Sequence, residues 1–568
     1  MKFKISSASF MLITILLVGS FFRLFHLASL PISLFGDEID VGYHAWSLFA
    51  TGRDYMGHLF PVYIQSLAES RAPLLMYFSA PIVGLLGPSA FSVRLFPAIM
   101  GIFNIYLLYL LTNLLFPQKS FQIKKHSFNL GHLAALSLAL TPWHIHFSRA
   151  AFEVTLLTSL LLGGTIYFLK KRYVVSFVLF ALTFYTYSVA NIFTPLLCLG
   201  LVIIFPLPVK NFFKASLPAV ILCLPLLYQL IFGQVAGRFK LISLANDPKI
   251  VEEVVLDRIQ PWVTPGLRET IFHNKFTVYL SKFGENYLTS FSPQFLFLHG
   301  DPAYRHSVAR FGELLWVLAP FVLIGLYFLL QEIKSRSSRI ILYWLLISPL
   351  ASNLTVGGGD HATRLFVMIT PLIIISSYGL REFFAVLLFN YRSLFKSLVG
   401  GFLALLTIFV FSSYWLYYAN HYRFLSANDW GYGYREIFQQ LASIQNRFDL
   451  IFINNTKQPS LLSYAFYTKL PPKDFQKMFT GDKTVDAVYP EFNGFKFGDK
   501  IYFGEAISPF VIDHLTKNNG LYLSAQGREA PGNWNWIKDA PGGTKSLGGV
   551  YDVFGQPLFH LITHYQNK

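Results

Sequence analysis

The chain has 568 residues, 54% hydrophobic and only 13% charged, with a mean hydropathy of +0.46. That is more apolar surface than a soluble domain needs, so the composition specifies a polytopic membrane protein. The formal charge of +16 does not mark a nucleic-acid binder, because the Lys and Arg sit in short loops between apolar segments and form no single basic patch.

In chain order, apolar runs of bilayer length fall at about 8–29, 90–116, 131–148, 154–169, 173–189, 192–207, 215–232, 311–330, 340–356, 365–380 and 398–418, about eleven spans. The first is long and no small-x-small cleavage site follows it, so it reads as a retained anchor. The stretch Ala72 to Gly87 is broken by Pro73, Pro81 and Gly84 and reads as a half-buried or interfacial helix. Cys198 and Cys223 both lie inside apolar segments and imply no disulfide framework.

The positive-inside rule orients this map. With Lys2 and Lys4 inside, the inner loops carry Lys119, Lys124 and Lys125; Lys170, Lys171 and Arg172; Lys210 and Lys214; Lys334, Arg336 and Arg339; and Arg381, Arg392 and Lys396. The short outer connections carry only Arg149 and Arg364. Three segments then lie outside: the first loop (30–89), a long loop (233–310) and the tail from about Ala419. The expected organisation is a transmembrane domain over 1–418 and a small extracytoplasmic α/β domain over 419–568, in the cell membrane with the N-terminus cytoplasmic.

The tail is polar and turn-rich. Its segment YGYREIFQQLASIQNRF has apolar positions at 437, 438, 441 and 444 and predicts an amphipathic helix. DLIFI (449–453) predicts a buried strand, a helix follows from about Ser460 to Thr468, and KIYFG (500–504) and GLYLS (520–524) are further strands.

Candidate chemistry gathers at the outer ends of spans. In the stretch from Phe35 to Gly57, Gly36-Asp37 opens a helix and Thr51-Gly52 ends it. Val41, Ala45, Leu48 and Phe49 form an apolar stripe that would lay this helix along the outer membrane surface, with Asp40 solvated. Asp37 and Glu38 stand at its N-terminus, where the helix dipole favours ionised carboxylates. They suit an acidic active centre, or simply a cap and a dipole complement. Next come Glu69 and Arg71; Arg71 is placed either to bind a lipid phosphate through paired hydrogen bonds or to snorkel at the interface. Arg94 opens a span and reads as an anchor or an acid's partner.

LTPWHIHFSRAAFEV (140–154) crowds His144, His146, Arg149 and Glu153. Arg149 and Glu153 are four apart and would share a helix face. The two histidines lack i,i+4 spacing and a third partner, which argues against a metal. GGGDHATRLFVMITP (357–371) offers Asp360, His361 and Arg364 beside three glycines, either a phosphate-binding loop or a flexible turn.

Transfer of a sugar from a polyprenyl phosphate uses all these pieces. The phosphate is already a good leaving group, so arginines suffice to stabilise its departing charge. A carboxylate takes the acceptor hydroxyl's proton as the glycosyl cation develops. The alternative is a lipid-linked-sugar flippase without chemistry. That would favour paired repeats or ionisable residues near span centres, whereas the charges here cluster at outer ends. A third reading is a catalytically idle assembly protein acting through its outer domain.

The order of FGDEIDVGYHAW, ATGRDYMG, ESRAPLLMYF and LLGPSAFSVRLFPAIMG, followed by TPWHIHFSRAAFE and HATRLFVMITPLIIISSYGL, resembles the GT-C superfamily of membrane glycosyltransferases. The likeness is to those of the dolichyl-phosphate-mannose protein mannosyltransferase and aminoarabinose lipid A transferase type, over roughly residues 8–380. The resemblance implies a GT-C-like fold and a metal-independent, inverting transfer to a protein, lipid or glycan acceptor. It implies Asp37 as the catalytic base or acceptor-orienting group with Glu38 as its partner. Arg71 matches a lysine that contacts the lipid phosphate in the lipid A transferases; beside what the resemblance implies, the local clusters offer Arg149, His361 and Arg364 as further donor-phosphate groups and Arg94 and Glu153 as supports. No cofactor is expected, and the partners are the lipid-linked donor, the acceptor and membrane lipids. The tail does not match the trefoil module of eukaryotic protein mannosyltransferases.

Overall fold

The computed structural model describes residues 6–67, 70–123, 126–232, 243–260, 266–308, 310–387, 389, 391–479, 486–526 and 534–565. Glu69 and the topology charges Lys2, Lys4, Lys124 and Lys125 lie outside them. The chain divides into two compact units: Met1–Phe25, Val62–Leu75 and Pro97–Tyr422 form the first, and His26–Pro61, Met76–Phe96 and Arg423–Lys568 the second. The sequence reading kept the first outer loop with the membrane part. In the structure, 26–61 and 76–96 group instead with the C-terminal segment.

Helices dominate the first unit. Along the chain, five helices among the described residues are long and apolar enough to cross a membrane: Ser7–Leu24 (α1), Ala90–Leu115, Val209–Gln229, Ala362–Val386 and Ser393–Leu425. Shorter apolar helices stand at Leu74–Leu86, Leu130–Ala139, Val154–Leu169, Tyr173–Thr183, Ala190–Ile204 and Trp316–Gln331. The number of spans therefore rests on the sequence, since length alone qualifies five. The run expected at 131–148 is interrupted, with helices at Leu130–Ala139 and Pro142–Ser148. Pro142 has no N–H for a continuing ladder and instead opens the second helix. Ala319–Gln331 and Ile369–Glu382 pack closely through small residues. A Cβ on Gly379 would lie 1.9 Å from the Phe321 carbonyl oxygen. Two short antiparallel pairs complete the unit, Ile64–Gln65 (β1) with Ser70–Arg71 (β2) and Ser120–Ile123 (β3) with His126–Asn129 (β4).

The second unit is built on a seven-stranded sheet: Leu450–Asn454 (β5), Asp486–Tyr489 (β6), Phe492–Phe497 (β7), Ile501–Ala506 (β8), Gly520–Ala525 (β9), Thr544–Tyr551 (β10) and Pro557–His564 (β11). The order is β10-β11-β9-β5-β8-β7-β6. Central β5 runs parallel to β8 and β9, with Ile451 opposite Ile501 and Leu521, and the other pairs are antiparallel. One face packs Phe452, Phe492, Tyr502, Tyr522, Ile562 and Trp536. The other buries Ile451, Ile453, Phe503 and Leu523. It meets the helices Tyr434–Ile444 and Leu461–Tyr467, as in the ring pairs of Tyr464 with Phe503 and Tyr434 with Phe559. A strand covered on both faces reads as continuous apolar sequence, which is why DLIFI was legible.

The helix Gly36–Thr51 (α2) has the predicted bounds and ends at Gly52, whose φ of +68° is left-handed. It does not lie on a surface by one stripe. Every residue from Glu38 to Ala45 is buried. Gly42 approaches Phe466 so closely that a Cβ would come within 2.8 Å of its ring, and the Tyr43 ring packs at 5.3 Å from that of Phe475. The helix is a core element of the second unit, held by the helices Leu461–Tyr467 and Pro472–Met478.

Candidate active site

The acidic pair at the start of α2 is divided between two environments. Asp37 is exposed on the first turn, while Glu38 is fully buried. Phe35 is the N-cap and no side chain caps the helix, so Asp37 is not the cap the sequence allowed. Its carboxylate instead stands at the positive end of the helix dipole. Glu38 meets Arg94 in a two-pronged pair, Nε to Oε1 and Nη2 to Oε2, each 2.8 Å. The remaining Arg94 donors reach the carbonyls of Leu27 (3.3 Å), Pro31 (2.9 Å) and Ser33 (2.5 Å), and the guanidinium lies 5.6 Å from the Trp430 ring centre. One buried arginine thus ties the chain entering α2 to the first turn of the helix. Glu38 is buried in this clamp, while its neighbour Asp37 is exposed.

Asp40 is a correction to the sequence reading. It is buried, accepts a 2.9 Å hydrogen bond from the Tyr55 hydroxyl and lies 3.6 Å from His44 Nε2. The His44 ring stacks on Tyr55 at 3.8 Å. Solvation was expected because neighbouring carboxylates on a short helix usually face water. Here α2 has no solvent face at that position. Gln476 closes the same end of the unit by donating to Ser47, Thr51 and the Asp54 carbonyl.

The other candidates belong to the first unit. Arg71 ends β2 and lies 4.0 Å from Glu153, with 10% and 17% side-chain exposure. Arg149 and Glu153 do not share a helix face, because the chain turns between Pro142–Ser148 and Val154–Leu169. Arg149 is instead sealed in the interior and donates to the carbonyls of Phe22 (2.7 Å) and Phe25 (2.6 Å) at the end of α1. That is a C-terminal helix anchor. Arg364 donates to Thr355 Oγ1 (2.6 Å) and the Val356 carbonyl (3.2 Å) across the glycine-rich turn. Ser352 closes that turn by donating to the Gly358 carbonyl.

His361 lies near Arg364 and faces a carboxylate. It stacks on His306 at 4.7 Å, and both Nδ1 atoms face Asp301 Oδ2, at 3.1 Å from His306 and 4.0 Å from His361. Burial, then the nearby Arg364 and His306, lowers the His361 imidazole to about 3, so it is neutral. Burial, the largest single influence, would raise Asp301, but the hydrogen bond and charge of His306 together with the Ala303 and Ala362 N–H groups hold the carboxyl below its ordinary value. Asp301 also lines a cavity of about 440 Å³ with His299, Arg310 and Asp360.

Sequence reasoning missed Asp301 and His306, which sit in a loop read only as long. The signal available was Asp and His five apart in GDPAYRH. It also missed Arg23, fully buried in the first span, which donates to the carbonyls of Gly19, Leu138 and Ala139 and contacts His144 Nδ1 at 2.6 Å. His146 contacts the Arg305 carbonyl at 2.8 Å, so the two histidines of PWHIHF serve separate anchors.

No protein-family model and no curated protein sequence matches the chain. Solved structures do. ArnT from Cupriavidus metallidurans in the apo state aligns over 97% of both chains with a TM-score of 0.54 at 10% identity. The same protein bound to undecaprenyl phosphate aligns with a TM-score of 0.44 at 12% identity over 97% of both chains. The archaeal oligosaccharyltransferase AglB from Archaeoglobus fulgidus, in complex with an inhibitory peptide and a dolichol-phosphate, aligns with a TM-score of 0.47 at 14% identity. That alignment covers 81% of this chain, which spans 63% of the length of AglB. The likeness to apo ArnT shows that the chain shares the fold of that structure.

Proposed function

We propose that this chain is a glycosyltransferase that moves a monosaccharide from a polyprenyl- or dolichyl-phosphate donor to an acceptor hydroxyl on the outer face of the membrane. The observation that carries the reading is the exposed carboxylate of Asp37 on a helix start clamped by the buried Arg94–Glu38 pair. A base held on a rigid element loses little in reorganisation when it meets its substrate. The acceptor oxygen attacks the anomeric carbon as its proton passes to Asp37. The bond from that carbon to the phosphate oxygen breaks, and polyprenyl phosphate leaves with the electron pair. One displacement inverts the anomeric configuration.

Arg71 is assigned to the donor phosphate, with Glu153 orienting it. Arg364 is the second candidate cation. Arg149 and His361 are assigned to support, since one is spent on helix carbonyls and the other is a neutral imidazole beside a carboxylate. The chemistry needs no metal, because the leaving group is already a phosphate.

The test supplies the purified full chain in detergent with synthetic polyprenyl-phosphate hexoses and pentoses plus surface lipid, glycan or protein acceptors. Free polyprenyl phosphate is followed by mass spectrometry. Release that requires both chain and acceptor supports transfer. A donor that crosses vesicle leaflets intact, with no release, identifies a transporter instead.

A further inference from the structure

Among the described residues, one grouping brings together side chains able to hold a metal ion: Asp301, His306 and His361. Their ligand atoms all lie within 4.8 Å of one another. We propose that these three residues form a structural site for a borderline divalent transition ion, zinc first among them, which pins the end of the long outer loop to the glycine-rich turn before Ala362.

The donor set is the first argument. Two imidazoles and one carboxylate are ligands that zinc takes at about 2.0–2.2 Å in tetrahedral geometry, which sets neighbouring donors roughly 3.4 Å apart. The separations from Asp301 Oδ2, 3.1 Å to His306 Nδ1 and 4.0 Å to His361 Nδ1, straddle that value. Closing the longer one needs only a small ring movement.

The second argument is the state of His361. Its Nδ1 is buried and makes no hydrogen bond, although it faces a carboxylate. A buried imidazole nitrogen left without a bond costs free energy that a coordinate bond would recover. On binding, His306 would carry its proton on Nε2, leaving Nδ1 as the second nitrogen ligand.

The third argument is the support around Asp301. Its Oδ2 accepts the Ala362 N–H at 2.9 Å and its Oδ1 the Ala303 N–H at 2.8 Å, while its own N–H donates to Glu313 Oε1 at 3.1 Å. Such outer bonds orient a metal-binding carboxylate. The preceding Gly300 has φ +73°, and a Cβ there would lie 2.2 Å from Ser307 Oγ, so the turn presenting Asp301 is closed to other residues. Asp301 also lines a cavity of about 440 Å³, from which a water would complete the ligand set.

This ion would have no part in the sugar transfer proposed above, so each idea stands or falls alone. The test uses the full chain, purified in detergent with its affinity tag removed, and measures bound zinc by plasma mass spectrometry and cobalt by its visible absorption. About one zinc per chain and an intense tetrahedral cobalt spectrum are expected. Both should fall at least tenfold in His361→Gln and in His306→Ala, and added zinc should raise the Tm of the wild type alone. A wild-type chain that binds no more zinc than the double variant, or a weak octahedral cobalt spectrum, overturns the proposal. The wild-type spectrum decides the matter even if a variant fails to fold.

Discussion

Arg94 shows what a single residue can settle. Its pair with Glu38 lies wholly inside the protein, and removing one partner strands a buried charge. Such breaks cost about 3–5 kcal/mol. Glu38→Gln and Arg94→Gln are therefore expected to lower the Tm sharply, and an unchanged Tm in either would remove the clamp from the account. Arg71→Ala is expected to keep the Tm but lose roughly 10–100-fold in kcat/KM for the lipid-linked donor, the worth of a charge-assisted hydrogen bond. Donor titrations with purified variants measure it. Glu332, on the inner side of the map, contacts Lys119 Nζ at 2.9 Å. Burial, the largest single influence, would raise its carboxyl, but the hydrogen bonds from Lys119 and Tyr378 and the charges of Lys119 and Arg381 together hold it below its ordinary 4.5. A depressed folded value adds stability that is complete above the ordinary value and lost as pH falls through the folded one. The Tm advantage of wild type over Glu332→Gln should thus shrink on acidification below pH 4.5. At this scale the place of Asp37 on the first turn of a helix was legible from the Gly36-Asp37 opening. Asp40 and Arg23 were not, because their partners Tyr55 and His144 are fixed only by tertiary packing.

Among elements, α2 was read to the residue at both ends, since an acidic first turn and a glycine stop are local signals. Its surroundings were misread. An apolar stripe suggests one buried face, yet packing covers the whole turn around Gly42. Gly42→Val would place a branched side chain against Val93 and Phe466, where even the Cβ meets atoms at 2.5 and 2.8 Å. Overpacking of that kind costs about 1–3 kcal/mol, so denaturation should begin at lower temperature than in wild type. Equal stability would mean that α2 is not held there. In the sheet, β5, β8 and β9 were found because their interiors are unbroken apolar runs. The outer strands β6, β7, β10 and β11 were missed, of which β6 and β10 are the sheet's edges. The sequences TKSLGGVY and FNGFKF mix glycine with polar residues and pair antiparallel at the margins, where one-sided burial weakens the pattern.

For the whole molecule, the apolar composition pointed to membrane-length helices, five of which the described residues contain, and the first-loop motifs pointed to a fold that the likeness to apo ArnT supports. The grouping of 26–61 and 76–96 with the C-terminal segment was hidden, because it depends on contacts between stretches hundreds of residues apart. We infer an orientation from the lysine and arginine pattern, with the N-terminus inside. In a chain with Cys198 and Cys223 replaced by alanine, Asp429→Cys should react with a membrane-impermeant maleimide in intact cells, and Lys334→Cys only after permeabilisation. The reverse pattern would invert the map. The central claim, that Asp37 performs the transfer, is tested most directly by Asp37→Asn in the purified-protein assay with a polyprenyl-phosphate sugar the wild type consumes. The account predicts an unchanged Tm with sugar transfer lowered at least a hundredfold; transfer at the wild-type rate would contradict it.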